Sequence, residues 1–439
     1  MTFTRPLLAL LLAGLLWTSF GTFALAAQAP ATQPAAQAQG DHEQAYHLPP
    51  DKLARAISLS RIRDILDIAG SLWGIAVLWL LLATRTAARL EAWTQRLSRR
   101  RWVQGLLFFA AFFLLTAAAG LPLDMYGHYA ERSYQISVQG WAGWFGDMGK
   151  ELALTLLVGT PVLLLFNWIV RRWPRRYWLG AWLATLPILV AVVFVAPLVG
   201  PLFDKFEPLA LHHEKLVQQL EEVVARTGTH IPADRMFLMK ASAKTNGLNA
   251  YVTGFGATKR IVVWDTTAGR IPDDEVLFIF AHETGHYVLH HIPKGIALSA
   301  AGLFFIYWGC SAFAAGLVRR HGVRWGAPDL ASRTGFVVLL FTVSVASFLL
   351  EPVSNAISRG FEHQADVYGQ EAIHGIVPDP QKTAVAAFND LGKAWLEDPN
   401  PNPVVEFWLY DHPSTEHRAE FALHYNPWAN GGHGRFFSH

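Results

Sequence analysis

The stretch FIFAHETGHYVLHHIPKGIALSAAGLFFIYW, residues 278–308, carries two signals in succession. Its first half places His282 and His286 four residues apart. On a helix these positions share a face, so both imidazoles can reach one metal ion, with Glu283 beside them to activate a water. Phe278, Ile279, Phe280 and Ala281 can bury the back of that helix. The second half belongs to an apolar run, Ile296–Val318, near the length that crosses a hydrocarbon core.

Upstream, Pro272-Asp273-Asp274-Glu275 opens the histidine helix with acids that complement its dipole, and the helix is expected to run to His290. Before it, Glu214–Thr227 has the apolar spacing of an amphipathic helix, and Arg235–Met239, Leu248–Phe255 and Lys259–Trp264 read as short strands. Further apolar stretches lie at Ile68–Ala83, Leu106–Leu121, Leu152–Val170 and Trp178–Val199, with one more at Phe336–Leu350. They lack the polar face of helices in soluble proteins. Composition agrees: 52% of the 439 residues are hydrophobic, 16% are charged, and the 17 tryptophans suit a membrane–water boundary. The net charge of +2 gives no case for a nucleic-acid partner. The single cysteine, Cys310, excludes an internal disulfide and any Cys-based zinc site, so a metal must be held by His and carboxylates.

At the N-terminus, Arg5, the apolar run from Leu7 to Leu16 and Ala24-Leu25-Ala26-Ala27 read as a signal peptide over residues 1–26, with an uncleaved first helix as the rival. An Ala/Gln/Pro-rich tether follows. The expected organisation is a tether and amphipathic segment (27–66), four transmembrane helices (67–200), a soluble-like block with the HETGH helix (201–294), two more spans (295–350) and a C-terminal soluble-like part (351–439). The fold class is mainly α: a polytopic membrane bundle with an inserted small α/β domain that carries the histidine pair.

A catalytic zinc takes three protein ligands and leaves a position open. The best third donor is Glu362; Asp366, one helical turn on, can hold a ligand imidazole from behind. His363 competes, but it projects about 100° away on a helix. A His-x-x-Gly-x-x-His continuation after His286 is absent, which argues against the metzincin type.

Together these pieces resemble the type I CAAX prenyl proteases and their bacterial relatives, membrane-embedded zinc peptidases of gluzincin-like type. The matching stretches are Pro201-Leu-Phe-Asp204-Lys-Phe-Glu207-Pro208, Asn249-Ala250-Tyr251-Val-Thr-Gly254-Phe255, Lys259-Arg260-Ile-Val-Val-Trp-Asp265-Thr266, the HETGH helix, Ser358-Arg359-Gly-Phe-Glu362-His-Gln-Ala365-Asp366, and His412-Pro413 with Arg418. They occur in the family's order. The resemblance implies one Zn2+ per chain on His282, His286 and Glu362, with Glu283 as general base and His412 as a donor to the oxyanion. It places Asp366, Arg418, Asn355 and Arg359 behind the ligands. Asn249, Ala250 and Tyr251 become the edge strand that pairs with substrate backbone, and a water-filled chamber is implied inside the bundle. The implied partners are a peptide or protein substrate and the lipid bilayer.

Arginine distribution orients the bundle, because cytoplasmic loops are enriched in Lys and Arg. Arg85, Arg89, Arg96, Arg99, Arg100 and Arg101 crowd the first loop. Arg171, Arg172, Arg175 and Arg176 follow the third span, and Arg319, Arg320, Arg324 and Arg333 lie between the last two. Alternation of six spans puts all three loops on one side and both peptidase blocks on the other, the periplasm of a bacterial inner membrane. The best-known eukaryotic members face the cytosol, so membrane-associated or misfolded proteins are the expected substrates rather than prenylated ones. The rivals are CAAX-type processing with a cytosolic site, an inactive membrane scaffold, and a transporter. The motif is undamaged, and the spans hold few ionisable groups of the kind transporters use.

Overall fold

The computed structural model describes residues 45–254 and 256–437. The signal-peptide reading of residues 1–26 falls outside them. Among the described residues, six helices are long and apolar enough to cross a membrane. They are α1 (Pro50–Ala83), α3 (Arg101–Ser133), α4 (Trp141–Arg172), α5 (Tyr177–Val199), α8 (His291–Trp325) and α9 (Arg333–Ala372). The six apolar stretches are thus all present as helices, but most run well beyond their apolar cores. The amphipathic segment before Ile68 is continuous with the first span, and the last span is continuous with the helix that carries Glu362. Polar termini hid these extensions, because hydropathy marks the lipid-facing part of a helix and not its ends. Within α4, Thr155–Gly159 forms a π turn just before Pro161, whose missing N–H breaks the regular ladder.

A short helix, α2 (Thr86–Leu97), joins the first two spans. Its Glu91 accepts from Thr334 N–H at 2.9 Å and lies 3.6 Å from the Arg333 guanidinium. Arg85 Nε donates to Arg324 O at 2.8 Å, and Asn167 Nδ2 contacts Ala331 O at 3.4 Å. The three arginine-rich loops therefore meet at one end of the bundle. Beneath them, an aromatic and aliphatic cluster built on Phe108, Phe109, Phe112, Leu163 and Val338 packs the spans together.

The other end carries the α/β unit. Its four-stranded sheet has the order β1-β2-β4-β3, from β1 (Phe206–Pro208), β2 (Met236–Met239), β3 (Ala250–Thr253) and β4 (Arg260–Trp264). β2 and β4 are parallel and the outer pairs antiparallel, with Ala250 opposite Val263 and Thr253 opposite Arg260. The three expected strands are found; β1, three residues ending in proline, gave no alternation to read. Around the sheet lie α6 (Ala210–Thr227), α7 (Asp273–Val288), α10 (Pro380–Trp395), α11 (Pro403–Leu409) and α12 (Thr415–His424). Leu220, Val223, Val263, Phe278, Phe280, Ala384 and Phe388 form its core.

Glu362 lies 29 residues along α9 from Arg333, roughly 44 Å at helical rise. That exceeds a hydrocarbon core of about 30 Å, so the α/β unit and the basic end lie at opposite ends of a helix long enough to cross one. A cavity of about 770 Å³ opens between α1 and residues 398–403, but no residue of the histidine cluster lines it.

Candidate metal centre

α7 is buried on nearly all sides: Val276 to His282, Thr284, Gly285 and His286 are all buried. Such a helix needs partners all round, and α9 is the closest of them. The approach is set by two glycines. A Cβ on Gly285 would stand 3.0 Å from the Tyr368 ring, and one on Gly369 would stand 2.9 Å from the His282 nitrogen. Only hydrogen at both positions lets Glu362, two turns earlier on α9, reach the histidine face.

His282, His286 and Glu362 each offer a ligand atom, all within 4.8 Å of one another, and all three residues are buried. The Nε2 atoms of the two histidines face each other at 3.1 Å. Glu362 Oε2 lies 3.2 Å from His282 Nε2, and Oε1 lies 3.5 Å from His286 Nε2. Glu362 Oε2 is buried, and despite those near neighbours it has no hydrogen bond of good geometry. Two imidazole lone pairs and a carboxylate converging in a buried site form a donor set that suits one borderline divalent cation. Among the described residues this is the one cluster of its kind.

Behind the ligands, His282 Nδ1 meets Asp366 Oδ1 at 2.8 Å. Arg418 holds Asp366 in a fork: Nη2 donates to Oδ1 at 2.6 Å and Nε to Oδ2 at 3.0 Å. The guanidinium also lies 3.8 Å from Glu362. Asn355 and Arg359 both bond to the segment that precedes His412. Asn355 Nδ2 donates to Trp408 O at 2.6 Å and Arg359 Nη1 to Tyr410 O at 2.5 Å. Their side chains fasten the backbone between residues 406 and 410, which ends two residues before His412. They lie one and two turns before Glu362 on α9, so spacing alone could not separate them from it. His363 packs against the Phe421 ring at 4.5 Å, away from the ligand set.

His412 stands 3.3 Å from Glu362 Oε2 through Nε2 and 2.8 Å from Asp411 through Nδ1. Burial works against its charge, but those two carboxylates outweigh burial and lift its pKa to about 10. Burial pushes Glu283 up to about 7, opposed by the charge of His282. Burial lowers His286 to about 3, so it presents a neutral ring.

β3 is an edge strand. Trp264 N–H donates to Asn249 O at 3.1 Å, and Asn249 N–H donates to Thr267 Oγ1 at 2.8 Å. In an antiparallel ladder the bonded pairs alternate, so Ala250 and Val252 turn their amides away from β4, on the side of α7. The Tyr287 hydroxyl, one turn after Glu283, donates to Gly254 O at 2.9 Å and approaches Val252 O at 3.4 Å. Tyr287 and His291 were not singled out from the sequence. His290 takes a left-handed backbone (φ 60°) that ends α7 and turns His291 back toward His286, and nothing in the helical spacing marks that break.

A buried His-Glu-x-x-His helix closed by a glutamate from a second helix, on an α/β unit carried by six membrane-length helices, defines an integral-membrane metallopeptidase. Residues 210–426 match the model of peptidase family M48, and residues 37–205 match that of the CAAX prenyl protease N-terminal region, described as five membrane helices. Four of the described spans fall in the latter range. The chain is 34% identical over 383 residues to an uncharacterized metalloprotease, YhfN, of Bacillus subtilis, covering 86% of this chain and 87% of that one. It is 28% identical to CAAX prenyl protease 1 of Saccharomyces cerevisiae, covering 72% and 71%. The crystal structure of S. mikatae Ste24p superposes with a TM-score of 0.74 at 22% identity, covering 86% of this chain and 90% of that one. The chain belongs to peptidase family M48 and is a multi-span membrane metalloendopeptidase.

Proposed function

We propose that this protein hydrolyses peptide bonds with one zinc ion held by His282, His286 and Glu362, on the periplasmic face of a bacterial inner membrane. The observation that carries the reading is the convergence of three buried donor atoms within 4.8 Å, one of them a carboxylate oxygen without a well-formed hydrogen bond. A bound zinc supplies Lewis acidity there, polarising a peptide carbonyl and acidifying water.

The chain's own residues do the rest. Outward amides of β3, at Ala250 and Val252, pair with an extended substrate and present its backbone whatever its side chains; Asn249 and Tyr251 set that strand's position. Glu283, held near neutrality by burial, takes the proton of the attacking water and passes it to the leaving amine. His412, kept protonated by Glu362 and Asp411, donates to the oxyanion. Asp366 and Arg418 fix the ring of His282. The peptidase unit is then residues 201–294 with 351–439. Its placement opposite the arginine loops supports membrane-associated or misfolded periplasmic proteins as substrates.

Glu283→Gln tests the chemistry. The variant is expected to retain one zinc per chain and lose casein cleavage by at least about 100-fold. Undiminished cleavage removes Glu283 from the reaction.

A further inference from the structure

The two candidate histidine ligands are backed differently. His282 turns Nδ1 to a carboxylate, Asp366, at 2.8 Å. His286 turns Nδ1 to another imidazole: His291 Nδ1 lies 3.0 Å away. His291 is fully buried and stacks on Phe361 at 4.0 Å between centroids, with the rings 24° from parallel. Metal-bound histidines usually give their second N–H to a carboxylate, a backbone carbonyl or water. An imidazole in that place is conditional, because each of its nitrogens either donates or accepts according to tautomer.

We infer that His291 is a positioning residue that selects the metal-binding tautomer of His286. Two facing Nδ1 atoms need one proton between them. Were His291 the donor, the single proton of neutral His286 would lie on Nε2. It would then point at His282 Nε2, 3.1 Å away, and close the lone pair that a cation needs. With His286 as donor, its Nε2 carries a lone pair in place of a proton and can coordinate, and His291 carries its own proton on Nε2. That nitrogen is buried without a hydrogen bond of good geometry, and the Gln364 side chain lies within reach of the His291 ring. Gln364 spends an amide N–H on Gly360 O at 3.2 Å, which leaves its carbonyl oxygen as the acceptor. The left-handed turn at His290 holds the arrangement, since a continued α7 would carry residue 291 away from residue 286. Proton position thus runs from Gln364 through His291 to His286, independently of the Asp366–Arg418 clasp on the other ligand.

The inference rests on the zinc site proposed above, and zinc titration of purified full-length protein, with chelator competition, separates the two. Wild type should bind one zinc per chain; if it binds none, the reading of the site falls. His291→Phe keeps an aromatic ring against Phe361 and removes the acceptor. It should weaken zinc binding about 10- to 100-fold and shift the visible absorption of the cobalt-loaded protein, while metal-free unfolding stays close to wild type. His291→Gln, whose amide oxygen can accept, should recover part of the affinity. Should His291→Phe not fold, His291→Leu decides in the same titration. Wild-type zinc affinity and cobalt spectrum in whichever apolar variant folds overturn the assignment.

Discussion

Two glycines on α9 should respond in opposite ways to the same substitution. Alanine is favoured over glycine inside a helix by about 1 kcal/mol. A Cβ on Gly360 meets nothing within 4 Å, so Gly360→Ala should realise that gain. A Cβ on Gly369 would stand 2.9, 3.0 and 3.2 Å from the nitrogen, Cα and Cβ of His282. Ordinary contact begins near 3.4 Å, so α7 and α9 must part by about half an ångström at the ligand itself. Overpacking of this kind costs about 1–3 kcal/mol, which cancels or exceeds the helix gain. Metal–ligand distances tolerate only about 0.2 Å, so the larger effect falls on zinc affinity, at roughly tenfold or more. Thermal unfolding of the two variants with and without zinc, together with chelator competition, reads both quantities. Equal zinc affinities for Gly360→Ala and Gly369→Ala would refute the claim that this contact places His282.

Other consequences follow from the same geometry. Asp366→Ala should lower zinc affinity about 10- to 100-fold by freeing the His282 ring, and should cost about 3 kcal/mol by removing the carboxylate that Arg418 grips with two hydrogen bonds. Adding Arg418→Ala should return stability but not zinc binding; recovery of both would mean that Asp366 acts only through Arg418. Glu283 is useful as a base only when ionised, so kcat/KM should fall as pH drops through about 7. A neighbouring cation favours the charged carboxylate and moves that limb lower; a rate that rises toward acid in the zinc-loaded enzyme would contradict the role. Alkaline phosphatase fused after residue 439 should be active and fused within 85–102 inactive, and the reverse result would turn the topology over.

Much of this architecture can be read from the sequence because its strongest signals are local. Apolar length marks the six spans, and i, i+4 spacing marks both the histidine pair and the Glu362–Asp366 pair. The arginine loops, scattered along the chain, meet at one end of the bundle, as alternation requires. What the sequence does not show depends on contacts between distant segments. Helix α9 runs from the basic end to the metal site without a break, so the division at residue 350 has no counterpart in the backbone. Asn355 and Arg359 share a helix with Glu362 and bond to the backbone between residues 406 and 410, a destination that periodicity cannot encode. His291 stands five residues after His286, a spacing that an unbroken helix would send to another face; one left-handed residue brings it back. The glycine of HETGH looks like a weakness in a helix until Tyr368 is seen packed where its side chain would be.

The zinc site proposed above consists of His282, His286 and Glu362. Metal analysis with zinc-edge X-ray absorption on purified wild type and Glu362→Ala tests it most directly. One zinc per wild-type chain is expected, with two imidazoles and a carboxylate oxygen among its ligands, and substoichiometric zinc in Glu362→Ala. A full zinc complement with an unchanged spectrum in Glu362→Ala would contradict it.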